Sequence, residues 1–106
     1  MNWFTGEEKK MALFVVQHKH SSETCPACSK EMGGMLLAHL SAKNAESCGL
    51  KIKGEAVING AYTMYLIVKG SNEQQVKKFM EPFAIVGSVE VMFASLCEVV
   101  VERGKV

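Results

Sequence analysis

The order in which strand-like and helix-like stretches follow one another constrains this chain more than any single residue does. ALFVVQHKH (12–20) is rich in β-branched and aromatic residues and suits a central strand covered on both faces. SSETCPAC then breaks the strand, and a helix is expected from near Cys25 to about Lys43, with Thr24 as its N-cap and Pro26 in its first turn. At about 100° per residue, Cys28, Met32, Met35, Leu36, His39 and Leu40 fall on one stripe, which predicts a core-facing side. Gly33-Gly34 within it costs about 1 kcal/mol per residue relative to alanine and points to close packing or a kink. LKIKGEAVI (50–58) alternates Leu50 and Ile52 against Lys51 and Lys53 as a half-exposed strand, and NGA (59–61) is a hairpin turn signal. YTMYLIVKG (62–70) follows as a third strand. SNEQQVKKFMEPF (71–83) reads as a second helix capped by Ser71 or Asn72, with Val76, Phe79, Met80 and Phe83 turned inward. SVEVMFASLCEVVVE (88–102) reads as a long fourth strand.

The resulting order, βαββαβ, predicts an α+β domain of the ferredoxin-like kind, a four-stranded antiparallel sheet with both helices on one face. The opposite face then has no cover within the chain, and the fourth strand is apolar on both sides. A second subunit would supply the missing layer, so a homodimer packed through the open sheet face is expected. At 106 residues the chain suits one such domain over residues 11–106, with residues 1–10, which carry Trp3 and Phe4, as an N-terminal arm or extension.

Composition narrows the partners. Twelve Lys and Arg balance eleven Asp and Glu, and no basic patch interleaves with aromatics, so nucleic acid is not an expected partner. No apolar run approaches the roughly 20 residues that span a bilayer, so no membrane is expected either. MNWFTGEEKKM has no apolar signal core, which points to a cytoplasmic, reducing location. There, the four cysteines serve as thiols, metal ligands or packed side chains rather than as a disulfide framework.

HKHSSETCPAC (18–28) gathers two of the three histidines and two of the four cysteines. Residues i and i+2 of a strand share a face, so His18 and His20 can present their rings together. Cys25 and Cys28, three apart across a first helical turn, place their sulfurs on one side. Two imidazoles and two thiolates form a tetrahedral set for Zn²⁺, and Cys also suits Cu(I). The same C-x-x-C at a helix start supports thiol redox chemistry, because free N–H groups and the helix dipole stabilise a thiolate. A polar loop with a partly packed Cys28 is the plain structural alternative. His39 is too far along the helix to share a metal with Cys28. It reads either as a hydrogen-bonded core residue or as a general acid or base facing a pocket between helix and sheet. Met32, Met35 and Met80 read as core filling, and Cys48 and Cys97 as packed thiols.

Two resemblances accompany these readings. From Gly54 onward, GEAVINGAYTMYLIVKGSNEQQVKKFMEPFAIVGSVEVMFASL resembles the small dimeric α+β barrel proteins, muconolactone isomerase among them. The shared features are a Tyr-bearing strand, a short polar helix cap, the apolar segment around MEPF and a closing strand of the S-x-E-V type. This resemblance implies the dimer, and an isomerase or cofactor-free oxygenase with His39 or His18 as acid–base group and Tyr62 or Tyr65 orienting a small-molecule ligand. TCPAC resembles the T-C-x-x-C loop between the first strand and first helix of heavy-metal-associated domains, which share the βαββαβ order, and implies metal handling. The leading expectation is a cytoplasmic homodimer that binds Zn or Cu through His18, His20, Cys25 and Cys28. The alternatives are the dimeric-barrel enzyme and a non-catalytic structural dimer.

Overall fold

The structure, a computed structural model, describes residues 11–25 and 29–106. Its frame is an antiparallel sheet of β1 (Ala12–Lys19), β2 (Lys51–Ile58), β3 (Thr63–Gly70) and β4 (Ser88–Ala94) in the order β2-β3-β1-β4. This is the ferredoxin-like α+β arrangement expected from the element order. β1 is central and pairs along its length with β3, from Ala12 opposite Gly70 to Lys19 opposite Thr63, and with β4, where Val16 faces Val91. Period-2 alternation divides the side chains. Phe14, Val16 and His18 of β1 lie beside Val68, Leu66 and Met64 of β3 on the face that carries the helices. Leu13, Val15 and Gln17 point the other way with Ile67, Tyr65 and Met92.

The first helical region is not the continuous Cys25–Lys43 helix expected. Residues Ser22–Thr24 make one turn of 3-10 helix, and α1 spans Lys30–His39, with α2 at Ala42–Ser47. Serine side chains account for both starts. Ser29 Oγ accepts from the Met32 backbone N–H and Ser41 Oγ from that of Asn44, so each serine caps a separate helix, and the N-cap lies at Ser29 rather than Thr24. Cys25 precedes α1, and Pro26 and Cys28 lie outside the described residues. The second region likewise divides into α3 (Glu73–Phe79), capped by Asn72, and α4 (Glu81–Ala84), which begins at Met80 with Pro82 in its first turn.

The core lies between the sheet and this helical layer. Val76, Phe79, Met80 and Phe83 from α3 and α4 meet Phe14, Val16, Leu66 and Val68 from the sheet, and Ala45 and Leu50 close it on the α2 side. α1 contributes little. None of its residues is buried; Leu36 and Leu40 pack only partly, while Met35 and Leu37 are each 67% exposed. The core stripe expected of this helix is therefore half unrealised.

The long fourth strand is also corrected. β4 stops at Ala94, opposite Leu13, one position short of the Ala12 end of β1. The chain instead folds into α5 (Cys97–Arg103), with Glu98 in its first turn, Arg103 in its last and Gly104 closing it at φ 71°. Both charges complement the helix dipole, and only a glycine adopts that left-handed cap without strain. Residues 95–98 border the open sheet face and enclose, with Leu13, Val15, Ile67 and Ala94, a cavity of about 360 Å³. Among the described residues no helix is long and apolar enough to cross a membrane.

Candidate functional site

At the C-terminal end of β1 the ladder continues for one more step, since the His20 backbone N–H donates to the Tyr62 carbonyl at 3.1 Å. Extended geometry therefore persists past Lys19, and the i, i+2 spacing brings His18 and His20 onto one face as expected. Their rings stack with centroids 5.3 Å apart and an interplanar angle of 26°. Phe83 stands edge-on to His18 at 5.3 Å, and Tyr62 edge-on to His20 at 5.6 Å. Gly87, just before β4, presses against the pair. A Cβ there would overlap the Lys19 carbonyl oxygen and stand 2.8 Å from His18 Nε2 and 3.0 Å from His20 Cβ.

The two histidines differ in their partners. His18 is 2% exposed, and its Nε2–H donates to the Phe83 carbonyl at 2.8 Å, which leaves Nδ1 as the unprotonated nitrogen of the neutral ring. Burial holds its pKa below the usual imidazole range and the neighbouring His20 adds to that effect, with the Phe83 bond partly opposing both. His20 has no such anchor. Both of its ring nitrogens are cut off from solvent, and neither has a hydrogen-bond partner among the described residues. Each such group costs about 1–3 kcal/mol when left unsatisfied.

Tyr62 occupies the end of the hairpin turn in the left-handed region, at φ 48°, where a bulky side chain is strained. The preceding Gly60 takes φ 77° without penalty, and Thr63 Oγ1 donates back to the Ala61 carbonyl at 2.9 Å, which fixes the turn that holds the Tyr62 ring over His20.

These side chains floor an open groove of about 690 Å³ between α1 and the β2–β3 hairpin. Leu36, Leu37 and Leu40 form one wall, Val57 and Ile58 the other, with Met64 and Phe83 beneath. Cys25, Ser29 and Lys30 border one end. The groove exists because α1 stands away from the sheet instead of packing its apolar side chains down onto it. Its size and its mostly apolar lining with a few converging polar groups are those of a small-molecule site.

The remaining candidate residues are distributed elsewhere. Cys28 lies outside the described residues, and among the described residues no group of three or more His, Cys, Asp and Glu side chains is placed to hold a metal ion. His39 does not reach the groove. Its Nε2–H donates to the Phe79 carbonyl at 2.6 Å, its Nδ1 accepts from Asn44 Nδ2 at 3.3 Å, and its ring stacks on Phe79 at 4.5 Å. With both nitrogens engaged it joins α1 to α2 and α3. Tyr65 lies on the opposite sheet face and donates its hydroxyl to Gln17 Oε1 at 2.7 Å. Cys48 at the end of α2 and Cys97 at the start of α5 are exposed thiols, not packed ones.

Of the acid–base and orienting pairs considered from sequence, the groove therefore unites His18 with Tyr62 and leaves out His39 and Tyr65. Sequence reading had not singled out Gly87, the Phe83 carbonyl or the strained backbone of Tyr62. Only the last had a visible signal, a bulky residue two positions after Gly60 in a tight turn. No protein-family model matches the chain, and comparison with curated proteins and with solved structures returns no match either.

Proposed function

We propose that the protein binds, and in the enzyme reading transforms, a small molecule in the groove between α1 and the β2–β3 hairpin. The observation that carries this is the groove itself, an apolar space of about 690 Å³ with a stacked histidine pair at its floor and a strained tyrosine over it. A helix with exposed leucines beside an unfilled cavity leaves apolar surface that a ligand would cover. In the enzyme reading, an isomerase or cofactor-free oxygenase of the dimeric α+β barrel type, His18 or its neighbour His20 handles the proton and Tyr62 orients the substrate. The test is a screen of small apolar compounds by thermal unfolding, repeated on Leu37→Glu. Compounds that raise the midpoint of the wild type and not of the variant support the groove. Equal shifts in both proteins would place binding elsewhere.

The open face of the sheet supports a homodimer as the working assembly. Val15, Ile67, Met92 and Ala94 lie there half-buried beside a cavity of about 360 Å³, and completing their burial against a second copy would supply the layer the chain lacks. Sedimentation at twice the 11.6 kDa chain mass, reduced to one chain mass by Val15→Glu, is the expected result. A monomeric wild type would refute it.

A transition-metal reading, Zn or Cu, is favoured by one further observation. His18 donates its Nε2–H to a backbone carbonyl and keeps Nδ1 free of a proton, the arrangement metal-ligating histidines usually show, while His20 and Cys25 border the same groove. Cys28 would be the fourth ligand. Elemental analysis of untagged protein prepared without chelators is the test. Near one metal per chain, lost in both Cys25→Ser and His20→Ala with the assembly intact, supports it; metal retained in both variants removes these ligands.

A further inference from the structure

The groove has an unusual polar inventory. Among the described residues its lining contains no carboxylate and one lysine, Lys30, which is exposed at the rim. A cationic ligand would find no counter-charge there, and an anionic one would leave its charge facing leucine and valine side chains. Desolvating an unpaired charge in this way is far more costly than desolvating a neutral polar group. At the floor, however, His20 has two ring nitrogens with no hydrogen-bond partner among the described residues. A neutral imidazole presents one N–H donor and one lone-pair acceptor pointing to opposite sides of the ring, so a head that can either accept or donate answers whichever of the two it reaches. Above it stands the ring of Tyr62, whose left-handed backbone is held by the turn and whose side chain is 43% exposed. The nitrogens are cut off from water, so a head that pairs with one of them requires a neighbour to move aside, and the partly exposed Tyr62 ring, edge-on at 5.6 Å, is the candidate.

We propose that the groove selects an uncharged, compact apolar molecule with a single polar head, such as a hydroxyl or carboxamide, and that this head pairs with one ring nitrogen of His20 beside Tyr62. The proposal rests on the reading of the groove as a small-molecule site and adds to it the charge class of the ligand and the residue that reads its head. The apolar body lies between Leu37 and Val57, and His18, tied to the Phe83 carbonyl, holds the stack that keeps His20 in place.

A matched series of probes separates the two levels. Naphthamide, naphthoate, naphthylmethylamine and methylnaphthalene share one apolar body and differ in the head. Binding would be measured by calorimetry and by heteronuclear NMR of the histidine rings on the full chain. Naphthamide is expected to bind about fivefold more tightly than methylnaphthalene, the factor for one ordinary hydrogen bond, and to shift the ring nitrogens of His20 more than those of His39. In His20→Phe the preference collapses to about onefold while methylnaphthalene still binds. If that variant does not fold, the wild-type series and its His20 shifts still decide the matter. Equal binding of naphthamide and methylnaphthalene would overturn the role of His20 and leave the apolar groove standing. Tightest binding of naphthoate or of the amine would overturn the uncharged class. Absence of binding for all four would overturn the groove reading and this inference with it.

Discussion

Replacing His20 by phenylalanine should make the ligand-free protein more stable, which is the opposite of what a histidine in a structural role would give. The two ring nitrogens of His20 are buried and unpartnered, at a cost of about 1–3 kcal/mol for each unsatisfied group. Phenylalanine removes both while keeping a ring to stack on His18, 5.3 Å away, and to receive the edge of Tyr62 at 5.6 Å. Part of the gain is lost, because phenylalanine is slightly larger than histidine in a site lined by the His18 and Tyr62 rings. A net gain of about 1–3 kcal/mol is expected, which at about 4 °C per kcal/mol for a chain of this size raises the midpoint by about 4–12 °C. The control is the same substitution at His39, where both nitrogens are bonded. There it leaves the Phe79 carbonyl without its donor, and a loss of about 1–3 kcal/mol follows. Thermal and urea unfolding followed by circular dichroism would measure both. A lower midpoint for His20→Phe would mean that the nitrogens are satisfied in solution, and the reasoning that makes His20 a ligand-facing group would fail.

Three other perturbations bear on the same site. Gly87→Ala drives a methyl group into the Lys19 carbonyl and against both histidines, and should cost about 2–3 kcal/mol in urea unfolding; an unchanged midpoint would show that the turn before β4 yields freely. Gly34→Ala meets nothing within 4 Å and should stabilise α1 by about 1 kcal/mol through its helix propensity alone, so a loss of stability would mean that the glycine has a packing role. His18, whose pKa is lowered in the folded protein, contributes stability that is fully present above its unfolded value of about 6.5 and declines as pH falls below it, because the unfolded chain then binds the proton more readily. Unfolding free energy followed from pH 7.5 to pH 5 should therefore fall more steeply in the wild type than in His18→Gln, whose amide can still donate to Phe83; parallel curves would refute the assignment.

Much of the sheet was legible because its signals are local. The runs at 12–20, 50–58 and 62–70 correspond to β1, β2 and β3 with ends displaced by a residue or so, since β-branched content and turn residues bound them within the sequence itself. The fourth run was misread in its second half, where Val99, Val100 and Val101 are apolar and β-branched but short of a strand partner. Its pairing with β1 stops at Ala94, opposite Leu13, a register that no residue of the run itself announces; the helix there was signalled only by Glu98, Arg103 and Gly104. Of the site, the His18–His20 pair followed from period 2 alone. The groove did not, because the stripe on α1 gives the same pattern whether the helix packs onto the sheet or stands off it. The state of His39 was equally hidden, fixed by a carbonyl forty positions away.

The same period 2 separates the two surfaces on which the function would rest. Even positions of β1, Phe14, Val16 and His18, look toward the helices and the groove, whereas Leu13, Val15 and Gln17 look toward the open face where a second copy would pack. A strand carries no side chain that serves both. A partner subunit seated on the open face would then neither fill nor cap the groove, and the proposed ligand site would be complete within one chain. Loss of the dimer in Val15→Glu should therefore leave the naphthamide preference unchanged, measured below and above the dissociation constant of the wild-type dimer. A preference that disappears with the dimer would require the partner to order α1 over the groove, a coupling through the sheet that side-chain alternation alone does not supply.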